Sequence, residues 1–151
     1  KKPKIVVETG VDKGLGSVIL AAALMKNAEE GFDGHIYGTD INPEAGYLLT
    51  KPYDSYGTIL YGDSIESLKS LDSEIDILIS DSNHKSGYEF QEYETVERQL
   101  KKGFLLLSDT AHDSSTLMKF AESRNLKFLY FQEEPKNTWI PGCGIGVAYQ
   151  D

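Results

Sequence analysis

Residues 6–17 read V-V-E-T-G-V-D-K-G-L-G-S, and their reading decides the fold. An apolar run at 5–7 closes on an acid, Glu8. Glycines follow at Gly10, Gly14 and Gly16, and an apolar helical pattern then occupies 18–25. Strand, glycine-rich turn and helix is the order in which backbone meets a nucleotide-like ligand closely, because glycine has no side chain to hold the ligand off. The spacing is G-x-x-x-G-x-G rather than the G-x-G-x-x-G of dinucleotide sites, and the loop lacks the Lys-Ser/Thr ending that grips phosphate.

Downstream, apolar runs of strand length alternate with helix-period segments. Strands are expected at 5–8, 35–40, 58–61, 75–80, 104–108, 126–132 and 145–149. The run 75–80 (I-D-I-L-I-S) is the most apolar and is expected at the centre. Helices are expected between the first five, including a short one at 43–49 opened by Pro43 and one from 65 to 71 capped by Ser64. A further helix carries Phe90, Tyr93, Val96 and Leu100 on one face. It is expected to hold Lys101 and Lys102 at its C-terminus and to stop at Gly103. Asp113 or Ser114 is expected to cap the next helix, and Asn125 to end it. The last two strands lack an intervening helix and read as a hairpin. The pattern predicts an α/β, Rossmann-like, doubly wound sheet of seven strands, parallel except for an antiparallel last strand.

Length and composition fit a single domain over residues 1–151, and the start without Met suggests a piece of a longer chain. A formal charge of -9 argues against a nucleic-acid or anionic-membrane surface. No run approaches the ~20 apolar residues of a membrane span. The single cysteine, Cys143, cannot form an internal disulfide, which points to a reducing, cytoplasmic setting. Cys143 itself, between two glycines, reads as buried packing.

In doubly wound sheets ligands bind at the carboxyl ends of the strands. Four strands end in, or run into, an acid: Glu8, Asp40, Asp81 and Asp109. Asp63 follows the third strand after Gly62. Asp40 stands where an acid bonds ribose hydroxyls in such folds. Asp63-Ser64 can border the adenine side of the same pocket, cap a helix, or do both.

The order E-T-G-x-x-x-G, D-I-N-P, G-D-S, D-S-N-H and S-D-T resembles the class I S-adenosylmethionine-dependent methyltransferases over essentially the whole chain. The resemblance implies that Glu8, Gly10 and Gly14 hold the methionine portion, Asp40 the ribose and Asp63 the adenine. Gly16, Ser17, Ile41, Gly62, Ser64 and Asp81 complete the implied cofactor set. The second half is similar to the macrocin and rhamnosyl O-methyltransferases and the cephalosporin-hydroxylase-like proteins. That branch implies a divalent metal, Mg²⁺, on Asp81 and Asp109, and His84 as general base on a sugar hydroxyl. Asp109-Thr110 departs from the Asp-Asp or Asp-Asn usual there, leaving Asn83 or His112 as substitute contacts.

The chemistry asks for such a set. Methyl transfer is an in-line displacement that needs the nucleophile held in line and its proton removed. A metal lowers the pKa of an alcohol that imidazole alone deprotonates poorly. His112 otherwise reads as an idle loop residue, Glu89, Glu92 and Glu94 as a solvated helix face, and Tyr88 and Tyr93 as core or rim packing. Trp139 can line an acceptor pocket or cap the sheet edge. The expectation is O-methylation of a small-molecule acceptor, catalysed by His84, Asp81 and Asp109, with a lid from an additional domain or a second copy of the chain. The rival readings are a non-catalytic cofactor-binding domain and a cephalosporin-hydroxylase-like oxidoreductase.

Overall fold

The computed structural model describes residues 1–136 and 142–150. Trp139 lies outside them. The chain alternates β1 (Ile5–Thr9), α1 (Leu15–Glu29), β2 (His35–Asp40), β3 (Gly57–Tyr61), α2 (Ser64–Ser70), β4 (Ile75–Ser80), α3 (Ser86–Val96), β5 (Leu100–Ser108), α4 (Thr116–Ser123), β6 (Lys127–Gln132) and β7 (Gly144–Tyr149). The strands form one sheet in the order β3-β2-β1-β4-β5-β7-β6. β1 to β5 run parallel, and β7 lies antiparallel between β5 and β6. The expected doubly wound sheet with a reversed last strand is what forms, and β4, the most apolar run, is central.

Burial follows the pleat. In β5, Phe104, Leu106 and Ser108 are buried while Leu105 and Leu107 are half-buried. Phe104 and Leu106 join Val7, Leu78, Tyr93, Phe120 and Ala148 in the larger core. α2 packs on α3 and α3 on α4 over that side. A smaller core of Val6, Ala21, Leu24 and Ile36 seats α1 against β1 and β2. On the outer hairpin, Leu129, Phe131 and Ile145 remain exposed. No helix among the described residues is long and apolar enough to cross a membrane.

Several expectations are corrected. The helix expected at 43–49 does not form; residues 43–48 are turns. Asp40 and Asn42 capture the chain there: the Asn42 amide donates to Asp40 Oδ1 (2.8 Å) and the Glu44 amide to Asn42 Oδ1 (3.0 Å). Such side-chain bonds offer the backbone an alternative to helix. The turn then buttresses the glycine loop, with the Gly46 amide on the Asp12 carbonyl (2.7 Å) and the Leu48 amide on that of Lys13 (3.0 Å).

Leu100, Lys101, Lys102 and Gly103 lie in β5 rather than at a helix end. The β4–β5 register shifts between Ile75 and Ile77, and Gly103 takes a φ of 76° there. Asp63, not Ser64, caps α2, accepting from the Glu66 amide at 3.2 Å. Ser115 occupies the cap position of α4, while Ser114 Oγ accepts from the Thr116 amide (3.1 Å). Asn125 ends that helix in the left-handed region, at φ 53°. Cys143 is exposed, not buried.

Candidate active site

The carboxyl ends of the inner strands are laced together before any side chain takes part. The Gly10 amide donates to the Thr39 carbonyl (2.9 Å), Asp81 to Thr9 (3.0 Å) and Gly62 to Asp40 (2.8 Å). This continues the parallel ladder beyond the strands and fixes the spacing of the acids that follow them. Gly10 is required at its position. Its φ is 82°, and a Cβ would collide with the Asp81 carbonyl. Gly16 permits a different approach: a Cβ there would strike the Glu8 carboxylate. Gly14, at φ 93°, caps α1 and backs onto Gly46, so it shapes the loop from behind.

A cleft of about 550 Å³ opens along this rim, lined by Gly10, Asp40, Ile41, Gly62, Asp63 and Ser64. Ser82, His84, Lys85 and Tyr88, from the segment after β4, also line it. Asp40 is braced by the Asp12 amide on Oδ2 (2.9 Å) and the Asn42 amide on Oδ1. Each oxygen keeps a lone pair for a further donor. The Tyr88 hydroxyl donates to Asp63 Oδ2 (2.8 Å), and that bond chiefly holds the Asp63 carboxyl below the usual carboxylate range. Ile41 is 81% exposed at the rim. One cation, Lys85, lines the cleft among the described residues. Two separated acids, glycine backbone and an apolar rim suit a hydroxylated nucleoside without phosphate, and the volume suits a ligand of that size.

Glu8 and Ser17 lie behind this lining. Ser17 Oγ donates to Glu8 Oε2 at 2.5 Å, and both residues are buried. Burial holds the Glu8 carboxyl above the usual range; the Ser17 bond opposes this, and the charge of Asp81 adds to it.

Asp81 and Asp109 directly follow β4 and β5, neighbouring strands of the sheet, and the Asp109 charge acts on Asp81. Burial first, then the neighbouring Asp109 charge, push Asp81 up to about 6, with His84 acting in the opposite sense. His84 is exposed and borders both the main cleft and a second cavity of about 340 Å³, which Thr110, His112, Asp113 and Ser114 also line. His112 is held within its own loop. Its Nδ1 bonds the Asp109 carbonyl (2.9 Å), and Nε2 stands 3.3 Å from Asp113 Oδ2.

The Asp81 shift has a stability consequence. The folded chain binds this proton more tightly than the unfolded chain, whose carboxyl titrates near 3.8. The resulting stabilisation is fully present below that value and is lost as pH rises through about 6. Asp81→Asn is expected to melt higher than wild type at about pH 7 and to lose that advantage by about pH 4. Thermal melts across this range check it.

The donor set near the pair limits what cation it could take. The Thr110 hydroxyl is buried and its proton is committed to Glu89 (3.0 Å). Asn83 Oδ1 accepts from the Lys85 amide (3.2 Å). Among the described residues no group of three or more His, Cys, Asp or Glu forms a cation site. Two carboxylates alone fit a hard ion that keeps most of its water, as Mg²⁺ does. They do not fit the closed four-ligand set of structural zinc.

The largest departure from the sequence reading is on α3. Glu94 is exposed as expected, but Glu92 is 0% and Glu89 2% exposed. Glu92 accepts from Ser64 Oγ (2.5 Å), Ser82 Oγ (2.6 Å), Ser80 Oγ (2.7 Å) and Thr9 Oγ1 (3.2 Å). Glu89 accepts from Tyr93 OH (2.5 Å), Ser108 Oγ (2.5 Å) and Thr110 Oγ1 (3.0 Å). Tyr93 is wholly buried in the core, and burial with the Glu89 charge beside it pushes its phenol far up.

Against known proteins, residues 7–111 match a family model described as a methyltransferase domain. No curated protein sequence matches the chain. Among solved structures, a methyltransferase from Geobacter sulfurreducens superposes with a TM-score of 0.74 at 19% identity, covering 99% of this chain and 72% of that one. The O-methyltransferase TomG of Streptomyces achromogenes, involved in tomaymycin synthesis and solved with S-adenosylmethionine, gives 0.73 at 16%, over 98% and 73%. An O-methyltransferase from Bacillus cereus, solved with S-adenosylhomocysteine, gives 0.71 at 11%, over 99% and 75%. At these identities the likeness is one of fold.

Proposed function

The chain belongs to the methyltransferase-domain family, and from that membership we propose that it binds S-adenosylmethionine in the 550 Å³ cleft and methylates an oxygen of a small hydroxylated acceptor. The observation that carries the reading is the shared wall. His84 borders both the cleft flanked by Asp40 and Asp63 and the polar second cavity, and Asp81–Asp109 stands beside it.

The cofactor supplies an electrophilic sulfonium methyl: as the acceptor oxygen bonds to that carbon, the S–C bond breaks and its electron pair returns to sulfur. The chain's own residues hold the two partners in line and take the proton. Asp40 receives the ribose hydroxyls on its remaining lone pairs, already oriented by two backbone amides. Asp63, fixed by Tyr88, meets the base. Glu8 and Ser17 set the floor beneath the glycine loop and act through it. His84 accepts the proton of the acceptor hydroxyl, and the Asp81–Asp109 pair orients that hydroxyl from the other side.

Mg²⁺ bound by Asp81 and Asp109 would lower the pKa of the acceptor hydroxyl. If the pair takes Mg²⁺, the ion removes the repulsion that opposes folding at neutral pH. Added Mg²⁺ should then raise the Tm of wild type at about pH 7.5 and leave that of Asp81→Asn unmoved. An equal response in both proteins removes the metal from the proposal.

Titration calorimetry with S-adenosylmethionine and S-adenosylhomocysteine tests the central reading. Binding of both at micromolar affinity is expected. Absence of heat with either, on a protein that melts cooperatively, rejects it.

A further inference from the structure

We infer that Glu92, buried under the rim and not itself lining the cleft, is a positioning residue for the cofactor cleft, and that its neighbour Glu89 is not. The inference rests on the cofactor reading above.

Both acids are on α3 and both are almost wholly buried. The three-residue spacing puts them one above the other on a single helix face. Among the described residues each is satisfied by hydroxyl groups and by no cation, but the hydroxyls belong to different parts of the site. The Glu92 Oε1 atom accepts from Ser64 and Ser82, and both serines line the main cleft. Its Oε2 accepts from Thr9 and Ser80, the last residues of β1 and β4. The four donors fill the four lone-pair sites of one carboxylate. Glu92 thus pins the start of α2, the ends of two strands and the loop after β4 to one point. The Tyr88 hydroxyl, whose proton goes to Asp63, stands 3.0 Å from Ser64 Oγ, whose proton goes to Glu92, so the residues bonded to the buried acid abut the lip of the cleft.

Glu89 gathers Tyr93, Ser108 and Thr110, all on the β5 side. None of the three lines the main cleft. Holding α3 against the sheet does not by itself call for these acids. Tyr93 and Val96 of α3 are already buried in the apolar core, and burying carboxylates is unfavourable unless every oxygen is satisfied. What Glu92 adds is a fixed geometry for two cleft-lining hydroxyls from segments 18 residues apart in sequence (64 and 82).

Glu92→Gln and Glu89→Gln form a matched pair: same helix, same burial, same change. The amide keeps one oxygen, so about half of the bonds to each site must reverse or be lost. S-adenosylhomocysteine binding is read by calorimetry well below the melting temperature of each protein, with Tm measured beside it. Glu92→Gln is expected to weaken binding by about tenfold or more, as loss of a charge-assisted bond set at the cleft wall requires. Glu89→Gln is expected to stay within about twofold of wild type, even where its Tm falls as far. Equal weakening in both variants, or none in Glu92→Gln, overturns the inference. If Glu92→Gln does not melt cooperatively, Glu92→Asp is the substitute. It keeps the charge but falls one methylene short of the serines, so the same loss is expected, and unchanged affinity overturns the inference. A wild-type protein that binds no S-adenosylhomocysteine rejects the cofactor reading itself, and this one with it. Wild-type binding with an unaffected Glu92 variant rejects this one alone.

Discussion

Asp40→Ala is expected to weaken S-adenosylhomocysteine binding by at least about a hundredfold, measured by calorimetry. Two ribose hydroxyls on one carboxylate make two charge-assisted bonds, each worth about 1.5–3 kcal/mol. At about 1.4 kcal/mol per decade the lower end already gives a hundredfold. The side chain is half-buried at the rim, so the lower end is the fair expectation. A second loss adds to this one. Asp40 ties down the Asp12 amide in the glycine loop and the Asn42 amide in the turn that buttresses it. Without the carboxylate both amides lose their acceptor, and the loop that carries Gly10 loses a brace. Asp40→Asn is the graded version of the same test. The amide keeps one acceptor oxygen for a backbone N–H but offers the ribose a weaker, uncharged partner. Its affinity and its Tm should both fall between those of wild type and Asp40→Ala. An Asp40→Ala protein that binds as tightly as wild type would remove Asp40 from the site.

How much of this was legible beforehand depends on whether the determinant is local. The run 75–80 is apolar, bounded and strand-length, and β4 covers the same residues. The acids at the strand ends were legible because each lies within two residues of the end of its own strand. The stretch 43–49 was misread because Pro43 suits a first helical turn and a tight turn equally. The choice fell to Asp40 and Asn42, whose side chains bind backbone amides two residues on. Lys101, Lys102 and Gly103 were misread as a helix end because the signals for a helix stop and for a bulged strand entry overlap.

The burial of Glu89 and Glu92 was invisible for a different reason. A charged residue on a helix ordinarily faces water. Their partners come from across the chain, Thr9 being 83 residues from Glu92. A faint signal did exist: Thr9, Ser80 and Ser108 each close an inner strand with a small hydroxyl. Hydroxyls at three adjacent strand ends need acceptors, and two acids one turn apart on the helix after β4 supply them.

The reacting side of the rim admits the sharpest separation of binding from chemistry. His84→Ala is expected to lower kcat by about 10²–10⁴-fold, the usual contribution of a positioned general base. S-adenosylhomocysteine affinity should change by no more than a few-fold, because His84 meets the cleft at the edge it shares with the second cavity. Asp81→Asn tests the other arm. Asn keeps the shape but removes the charge that Asp109 opposes and His84 favours. If the pair and the imidazole act on one hydroxyl, their losses cannot be independent. The double variant Asp81→Asn/His84→Ala should then be little worse than the poorer single one, as happens when residues work as a unit. Multiplying losses would mean two separate jobs, with Asp81 serving cofactor or fold rather than the proton. Retained turnover in His84→Ala would leave the methyl donor bound as proposed and move the base elsewhere on the rim. His112, the other imidazole on the second cavity, would then be the next to change.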